Sequence, residues 1–210
     1  MRADVPLATI RTEVALPLSL PDGSVTSTRV VTFDGLVDGR EHLAIGMGPD
    51  PECVPLVRLH SECLTGDVLG SRRCDCGPQL DEAMSRISAS GGYLLYLRQE
   101  GRGIGLYNKL DAYVLQDLGL DTYDANLALG HDADERDYTV AAQMLAALGV
   151  DELVLLGNNP EKRRQLEELG VTVREQVSTG VHLTDTNVRY LTAKATRGRH
   201  RLDLAALPDR

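Results

Sequence analysis

The sequence predicts an α/β protein: a mixed sheet flanked by helices, behind a small N-terminal antiparallel β lobe. Three observations carry this reading. The first fifty residues hold short β-like runs separated by turn signals. The rest alternates apolar strand-like runs with segments of helical periodicity. No internal repeat or long linker interrupts the chain, and 210 residues suffice for one substantial core.

The elements follow in order. Residues 1–9 read as a loose leader. Arg11-Thr-Glu-Val-Ala-Leu-Pro-Leu-Ser-Leu is β-like, the turn Pro21-Asp-Gly-Ser follows, and Thr26 to Phe33 returns. His42-Leu-Ala-Ile-Gly-Met is a third short run. Pro55 to His60 reads as a strand, and Gln79 to Ser90 as a helix with Leu80, Ala83, Met84 and Ile87 on one face. Tyr93-Leu-Leu-Tyr-Leu is a buried strand. It enters the glycine-rich Arg98-Gln-Glu-Gly-Arg-Gly-Ile-Gly, then a helix with an apolar face of Leu106, Leu110, Tyr113 and Val114. Asp137 to Leu148 is helical, Asp151 to Gly157 a strand, Pro160 to Leu169 a helix begun by proline, and Val171 to Arg174 a last strand. Residues 10–195 thus form one domain, and 196–210 a tail, basic and then apolar.

Composition narrows the function. The net charge of −9 argues against long nucleic acids, which are held by basic surfaces. No run is long enough to span a membrane, and no basic-then-apolar start reads as a signal peptide. The expected location is the cytoplasm, where cysteines serve metals or chemistry more often than disulfides.

Of four cysteines, Cys63, Cys74 and Cys76 lie within fourteen residues of one another. Cys53, between Pro51 and Pro55, reads as a bystander. Three thiolates around zinc leave a fourth position for water, which suits hydrolysis. The alternatives are a structural zinc completed by a fourth ligand such as His60, and cysteines without metal. Glu62, beside Cys63, either relays protons or orients a ligand.

The glycine loop has two readings, a phosphate cradle helped by Arg98 and Arg102 or a plain tight turn. It lacks the Gly-Lys-Ser/Thr ending of a P-loop. In Gly130-His-Asp-Ala-Asp-Glu-Arg-Asp, acids crowd Arg136; this is either a solvated helix start or an arginine held for an anion. Asn158-Asn-Pro-Glu-Lys162 offers a further phosphate contact.

Together, His60-Ser-Glu-Cys-Leu-Thr-Gly-Asp, Arg73-Cys-Asp-Cys-Gly, Arg98-Gln-Glu-Gly-Arg-Gly-Ile-Gly-Leu, Ala133-Asp-Glu-Arg-Asp and Asn158-Asn-Pro resemble the GTP cyclohydrolase II family, in order and spacing, from about residue 10 to residue 195. The resemblance implies opening of the GTP imidazole ring with release of formate and pyrophosphate, giving 2,5-diamino-6-ribosylamino-4(3H)-pyrimidinone 5′-phosphate at the start of riboflavin biosynthesis. It implies zinc on Cys63, Cys74 and Cys76, and magnesium with the triphosphate. It places GTP on Arg58, Leu59, His60, Ser61, Glu62, Gln79, Glu100, Gly101, Arg102, Thr122 and Lys162, with Gln79 and Glu100 able to read the guanine edge. It ties Tyr113 to ring opening, Asp134 to proton acceptance and Arg136 to attack at the α-phosphate. A guanidinium has no lone pair free to attack, so the chemistry of Arg136 itself points to a charge clamp. The family expectation is a homodimer.

One position departs from the family pattern: Gly157 stands where threonine is usual. It marks either a tolerated loss of one hydroxyl or a paralogue with altered substrate or a partial reaction. A zinc nucleobase deaminase is a weaker fit: His60-x-Glu62 is similar to its His-x-Glu, but the later Pro-Cys-x-x-Cys is absent. A zinc-stapled nucleotide-sensing or nucleic-acid-binding module is opposed by the acidic charge and the open cysteine count.

Overall fold

A computed structural model describes residues 5–50, 54–132 and 134–196. Cys53 and the tail from Arg197 onward lie outside the described residues. The chain divides into two compact units, one of Met1–His60, Leu80–Arg98 and Asp137–Thr179, the other of Ser61–Gln79, Gln99–Arg136 and Gly180–Arg210.

The first unit is built on a seven-stranded mixed sheet. Its strands are β1 (Thr9–Ser19), β2 (Val25–Asp34), β3 (Leu43–Met47), β4 (Leu56–Ser61), β5 (Gly92–Leu97), β6 (Glu152–Leu156) and β7 (Thr172–Val177), in spatial order β1-β2-β3-β5-β4-β6-β7. β1 and β2 form the hairpin expected at Pro21-Asp-Gly-Ser: Gly23 takes φ 83°, and Asp22 accepts from the Ser24 amide at 2.9 Å. β3 joins this antiparallel part to β5, whereas β4, β6 and β7 run parallel. The antiparallel strands are therefore continuous with the mixed core sheet.

Helix α5 (Thr139–Ala147) is apolar on nearly every side, and Val140, Ala141, Ala142, Met144 and Leu145 are buried with Val57, Leu59, Leu95, Leu97, Leu153 and Leu155. A second cluster joins Met47, Leu94 and Leu156 to Ala83 and Ile87 of α2 (Cys76–Ser90). Helix α6 (Pro160–Glu168) starts with Pro160, and Asn159 caps it by accepting from the Glu161 amide at 2.9 Å. Within the expected leader, Val5 and Ala8 pack against the core, and the Pro6 carbonyl accepts from Gln143 at 2.9 Å. The buried His42 bonds Asp38 at 2.9 Å and accepts from the Arg98 amide at 2.9 Å, fixing the end of β5.

The second unit is helical: α1 (Leu64–Asp67), the start of α2, a 3-10 turn over Glu100–Gly103, α3 (Leu106–Asp117), α4 (Thr122–Ala128) and α7 (Val188–Thr196). Asp121 caps α4, accepting from the Tyr123 and Asp124 amides at 2.8 and 3.0 Å. On α3 the expected apolar face is only half covered. Ala112 is buried, but Tyr107, Leu110, Val114 and Leu118 form an exposed stripe at spacings of three and four residues. Among the described residues, no helix is long and apolar enough to cross a membrane.

Candidate active site

The three cysteines arrive on two short segments. Cys63 precedes α1, and the Gly66 and Asp67 amides donate to its carbonyl at 3.0 and 2.7 Å. Cys74 lies two residues before α2 and Cys76 opens it. Two glycines let the segments meet. A Cβ on Gly66 would lie 2.8 Å from the Cys74 sulfur and 3.1 Å from that of Cys63. A Cβ on Gly77 would lie 2.5 Å from the Gly66 carbonyl oxygen. The metal-ligating atoms of the three cysteines all fall within 4.8 Å of one another, and among the described residues no histidine or carboxylate joins them.

This donor set fits zinc. Thiolates about 2.3 Å from a tetrahedral ion stand about 3.8 Å apart; the Cys63 and Cys74 sulfurs are 3.7 Å apart. Hydrogen bonds from Cys74 and then Cys76 hold the Cys63 thiol far below its usual range, against burial, and the Lys109 charge adds to the effect. Cys74, bonded to Cys63 and buried, is pushed up to about 11.

The neighbouring side chains are tightly engaged. Glu100 accepts from the Leu64 amide at 2.7 Å through Oε2, and from Lys109 Nζ at 2.7 Å and the Gly101 amide at 3.0 Å through Oε1. Lys109 Nζ also reaches the Cys63 sulfur at 3.1 Å and Thr65 Oγ1 at 3.0 Å. Burial alone would lower the Lys109 pKa, but the Cys63 charge and the Glu100 bond outweigh it and raise it. Tyr113 OH lies 3.4 Å from Thr65 Oγ1, and the Arg73 guanidinium lies 4.7 Å from the Tyr113 ring centroid. Burial raises the Tyr113 pKa, so it remains a neutral phenol. Inside the Cys-x-Cys turn, the fully buried Asp75 accepts from Gln79 Nε2 at 2.5 Å.

The glycine loop departs from ordinary backbone. Arg102 takes φ 63° and ψ 31°, and is the one non-glycine residue with positive φ among those described. Its guanidinium lies 4.0 Å from the Tyr123 ring centroid, and its Nη1 is buried with no hydrogen-bond partner among the described residues. The Arg102 carbonyl accepts from the Glu135 amide at 3.0 Å, which docks the loop on the acidic segment. There Asp134 holds Arg136 through both carboxylate oxygens, one at 2.7 Å from Nε. Burial would raise the Asp134 pKa, but hydrogen bonds and charge from Arg136 prevail and hold it below its usual value. Thr122, at the start of α4, lines a cavity of about 200 Å³ with Arg73, Asp117 and Thr186.

Glu62, Ser61 and the residues just described belong to the second unit; Arg58, Leu59, His60 and Lys162 belong to the first. Glu62 is half-buried and directly precedes Cys63. Ser61 Oγ donates to Gln99 at 3.4 Å. The buried Arg58 donates to the Leu156 carbonyl at 3.2 Å. Leu59 is core, and its carbonyl accepts from Lys162 Nζ at 2.6 Å; the His60 ring stacks on Tyr96 at 5.6 Å. At Gly157, a Cβ would lie 3.0 Å from Arg58 Nη1.

Sequence reasoning passed over Lys109, Thr65 and Gly66. The available signal was slight: Lys109 lies one helical turn before Tyr113, on the same face of α3.

The chain is similar to known proteins over most of its length. A family model described as GTP cyclohydrolase II matches residues 13–178. A GTP cyclohydrolase-2 from Vibrio parahaemolyticus is 54% identical over 175 residues, 82% of this chain and 88% of that protein. One from Psychromonas ingrahamii is 51% identical over 193 residues, 91% of this chain and 96% of that one. The riboflavin biosynthesis protein RibBA of Mycobacteroides abscessus is 52% identical over 188 residues, covering 86% of this chain and 45% of RibBA. A solved structure of RibBX, a two-domain 3,4-dihydroxy-2-butanone 4-phosphate synthase from A. baumannii, matches 83% of this chain and 41% of that one, with TM-score 0.43 and 21% identity. With its cysteine trio and glycine loop inside the matched span, the chain belongs to the GTP cyclohydrolase II family of enzymes.

Proposed function

We propose that the protein hydrolytically opens the imidazole ring of GTP, releasing C8 as formate and removing pyrophosphate to give 2,5-diamino-6-ribosylamino-4(3H)-pyrimidinone 5′-phosphate. This is the first step of riboflavin biosynthesis. The observation that supports it most is the cysteine trio, its sulfurs within 4.8 Å of one another and joined by no histidine or carboxylate among the described residues. Cys63, Cys74 and Cys76 would hold zinc, which when bound supplies Lewis-acid activation of water near neutral pH.

The chain's own groups then divide the work. Glu62, next to Cys63, relays protons. Tyr113, a neutral phenol beside Thr65, donates to the purine as its ring opens. Arg102 carries a donor with no partner among the described residues and offers it to an acceptor of the nucleotide. Arg136 clamps the charge developing at the α-phosphate. Asp134, held ionised by Arg136, is a weak base at neutral pH, so its main role is to aim the guanidinium. Arg58, Gln79, Thr122 and Lys162 complete the nucleotide contacts, and magnesium accompanies the triphosphate.

The active species is a cytoplasmic homodimer in this reading. The exposed stripe Tyr107, Leu110 and Val114 on α3, with Leu118 at its C-cap, supplies apolar surface of the kind a second copy covers. Gly157 favours a second reading, a paralogue that stops at the formylated product.

The test is incubation of zinc-loaded protein with GTP and magnesium, with products identified by mass. Equal amounts of formate, pyrophosphate and the diaminopyrimidine phosphate are expected, and Cys74→Ser should abolish ring opening. A formylated product alone would establish the second reading. Full activity without bound zinc would overturn the metal role.

A further inference from the structure

We propose that Lys109 is a positioning residue for the cysteine trio: anchored by Glu100, its ammonium fixes the direction in which the Cys63 sulfur faces a shared metal. The inference rests on the reading of the trio as zinc ligands.

An ammonium has three N–H groups and no acceptor. Lys109 has three partners: the Cys63 sulfur at 3.1 Å, Thr65 Oγ1 at 3.0 Å and Glu100 Oε1 at 2.7 Å. Its donors are fully used inside the protein, so it has none to offer a nucleotide. Glu100 is anchored in turn: Oε1 also accepts from the Gly101 amide, and Oε2 accepts from the amide of Leu64, the residue after Cys63. The contacts close a ring from Glu100 through Lys109, the Cys63 sulfur and the Leu64 backbone back to Glu100. Thr65 braces Lys109 from α1.

The ion pair is nearly enclosed, with the Lys109 and Glu100 side chains 11% and 9% exposed. A charge pair in such a place adds little to net stability by itself, because desolvation offsets the attraction. The ring does constrain the sulfur: an N–H aimed at Cys63 occupies one lone-pair direction and leaves the others for a metal. Groups that support metal ligands in this way typically change metal affinity by about 10–100-fold when removed.

The test uses cobalt as a spectroscopic probe in the full-length protein. Wild type should bind one Co(II) with a sulfur-to-metal charge-transfer band in the near ultraviolet. Lys109→Met should weaken cobalt binding by at least about tenfold in competition with a chelating dye. It should also shift the band to lower energy, because the sulfur no longer shares charge with an N–H. Lys109→Arg should fall between the two. Should Lys109→Met leave Glu100 uncompensated and fail to fold, the double variant K109M/E100Q removes that charge, and the same shift is expected. A folded variant lacking Lys109 with wild-type affinity and an unshifted band would overturn the inference. Wild type without any sulfur-to-cobalt band would remove the metal reading itself, and this inference with it.

Discussion

Gly66 lies directly against the Cys74 sulfur, which a Cβ at that position would approach to 2.8 Å. The same Cβ would meet Cys63 and Cys76, so this one hydrogen-only side chain holds open the space the trio occupies. Gly66→Ala should spread the sulfurs. Metal content after purification is expected to fall, with affinity reduced at least about tenfold, while far-ultraviolet circular dichroism stays unchanged. Full zinc occupancy in that variant, measured by atomic absorption, would show that the cage is looser than described.

The approach of Gly157 to Arg58 makes a prediction about substrate binding. Its φ of 159° is one that residues with a Cβ rarely adopt, and a Cβ would also press on Arg58 Nη1 from 3.0 Å. Gly157→Ala should displace that guanidinium from the Leu156 carbonyl. Loss of one such contact is worth about 1 kcal/mol, a rise of about fivefold in KM for GTP. The value of kcat should stay within about twofold, since only uniform binding is lost. Steady-state kinetics decide it: an unchanged KM would separate Arg58 from the nucleotide.

Asp134 links pH to stability. Its folded pKa lies below the ordinary value of 3.8, chiefly because Arg136 outweighs burial. A depressed carboxyl contributes stability that is fully present above the ordinary value and is lost as pH falls through the folded value. Asp134→Asn should therefore melt below wild type at pH 6, and the gap should close as the pH drops below about 4. Melting curves at stepped pH test this; a gap that widens in acid would contradict the assignment.

Arg136→Lys distinguishes two roles. Lysine keeps the charge but not the two-pronged grip on Asp134. A charge clamp predicts substantial residual pyrophosphate release and no covalent adduct. Mass spectrometry of rapidly quenched enzyme that trapped a GMP–Arg136 species would establish attack by the arginine.

Much of this was legible in the sequence because the signals were local. The helix of Leu80, Ala83, Met84 and Ile87 shows its period within three turns, and Asn159-Pro160 announces α6. The cysteine trio stood out through its spacing. What escaped depended on distant partners. Helix α1 has four residues, too few for a period. Helices α4 and α7 span only seven and nine residues, about two turns each. The face read on α3 was correct in pattern but not in fate, since periodicity does not say whether a partner covers Leu110 and Val114. Lys109 looks like any surface lysine until folding brings it to Cys63, 46 positions earlier.

The left-handed turn at Arg102 bears on what the fold itself requires. A side chain in that conformation costs roughly 1–2 kcal/mol, and resting a guanidinium on the Tyr123 face returns roughly 0.5–1 kcal/mol. Glycine escapes that strain but loses roughly 0.5–1 kcal/mol more chain entropy on folding, so the terms nearly cancel and glycine would serve the fold about as well. Thermal melting of Arg102→Gly should accordingly differ little from wild type. A cation persisting where the backbone is indifferent to it answers to chemistry outside the folding problem.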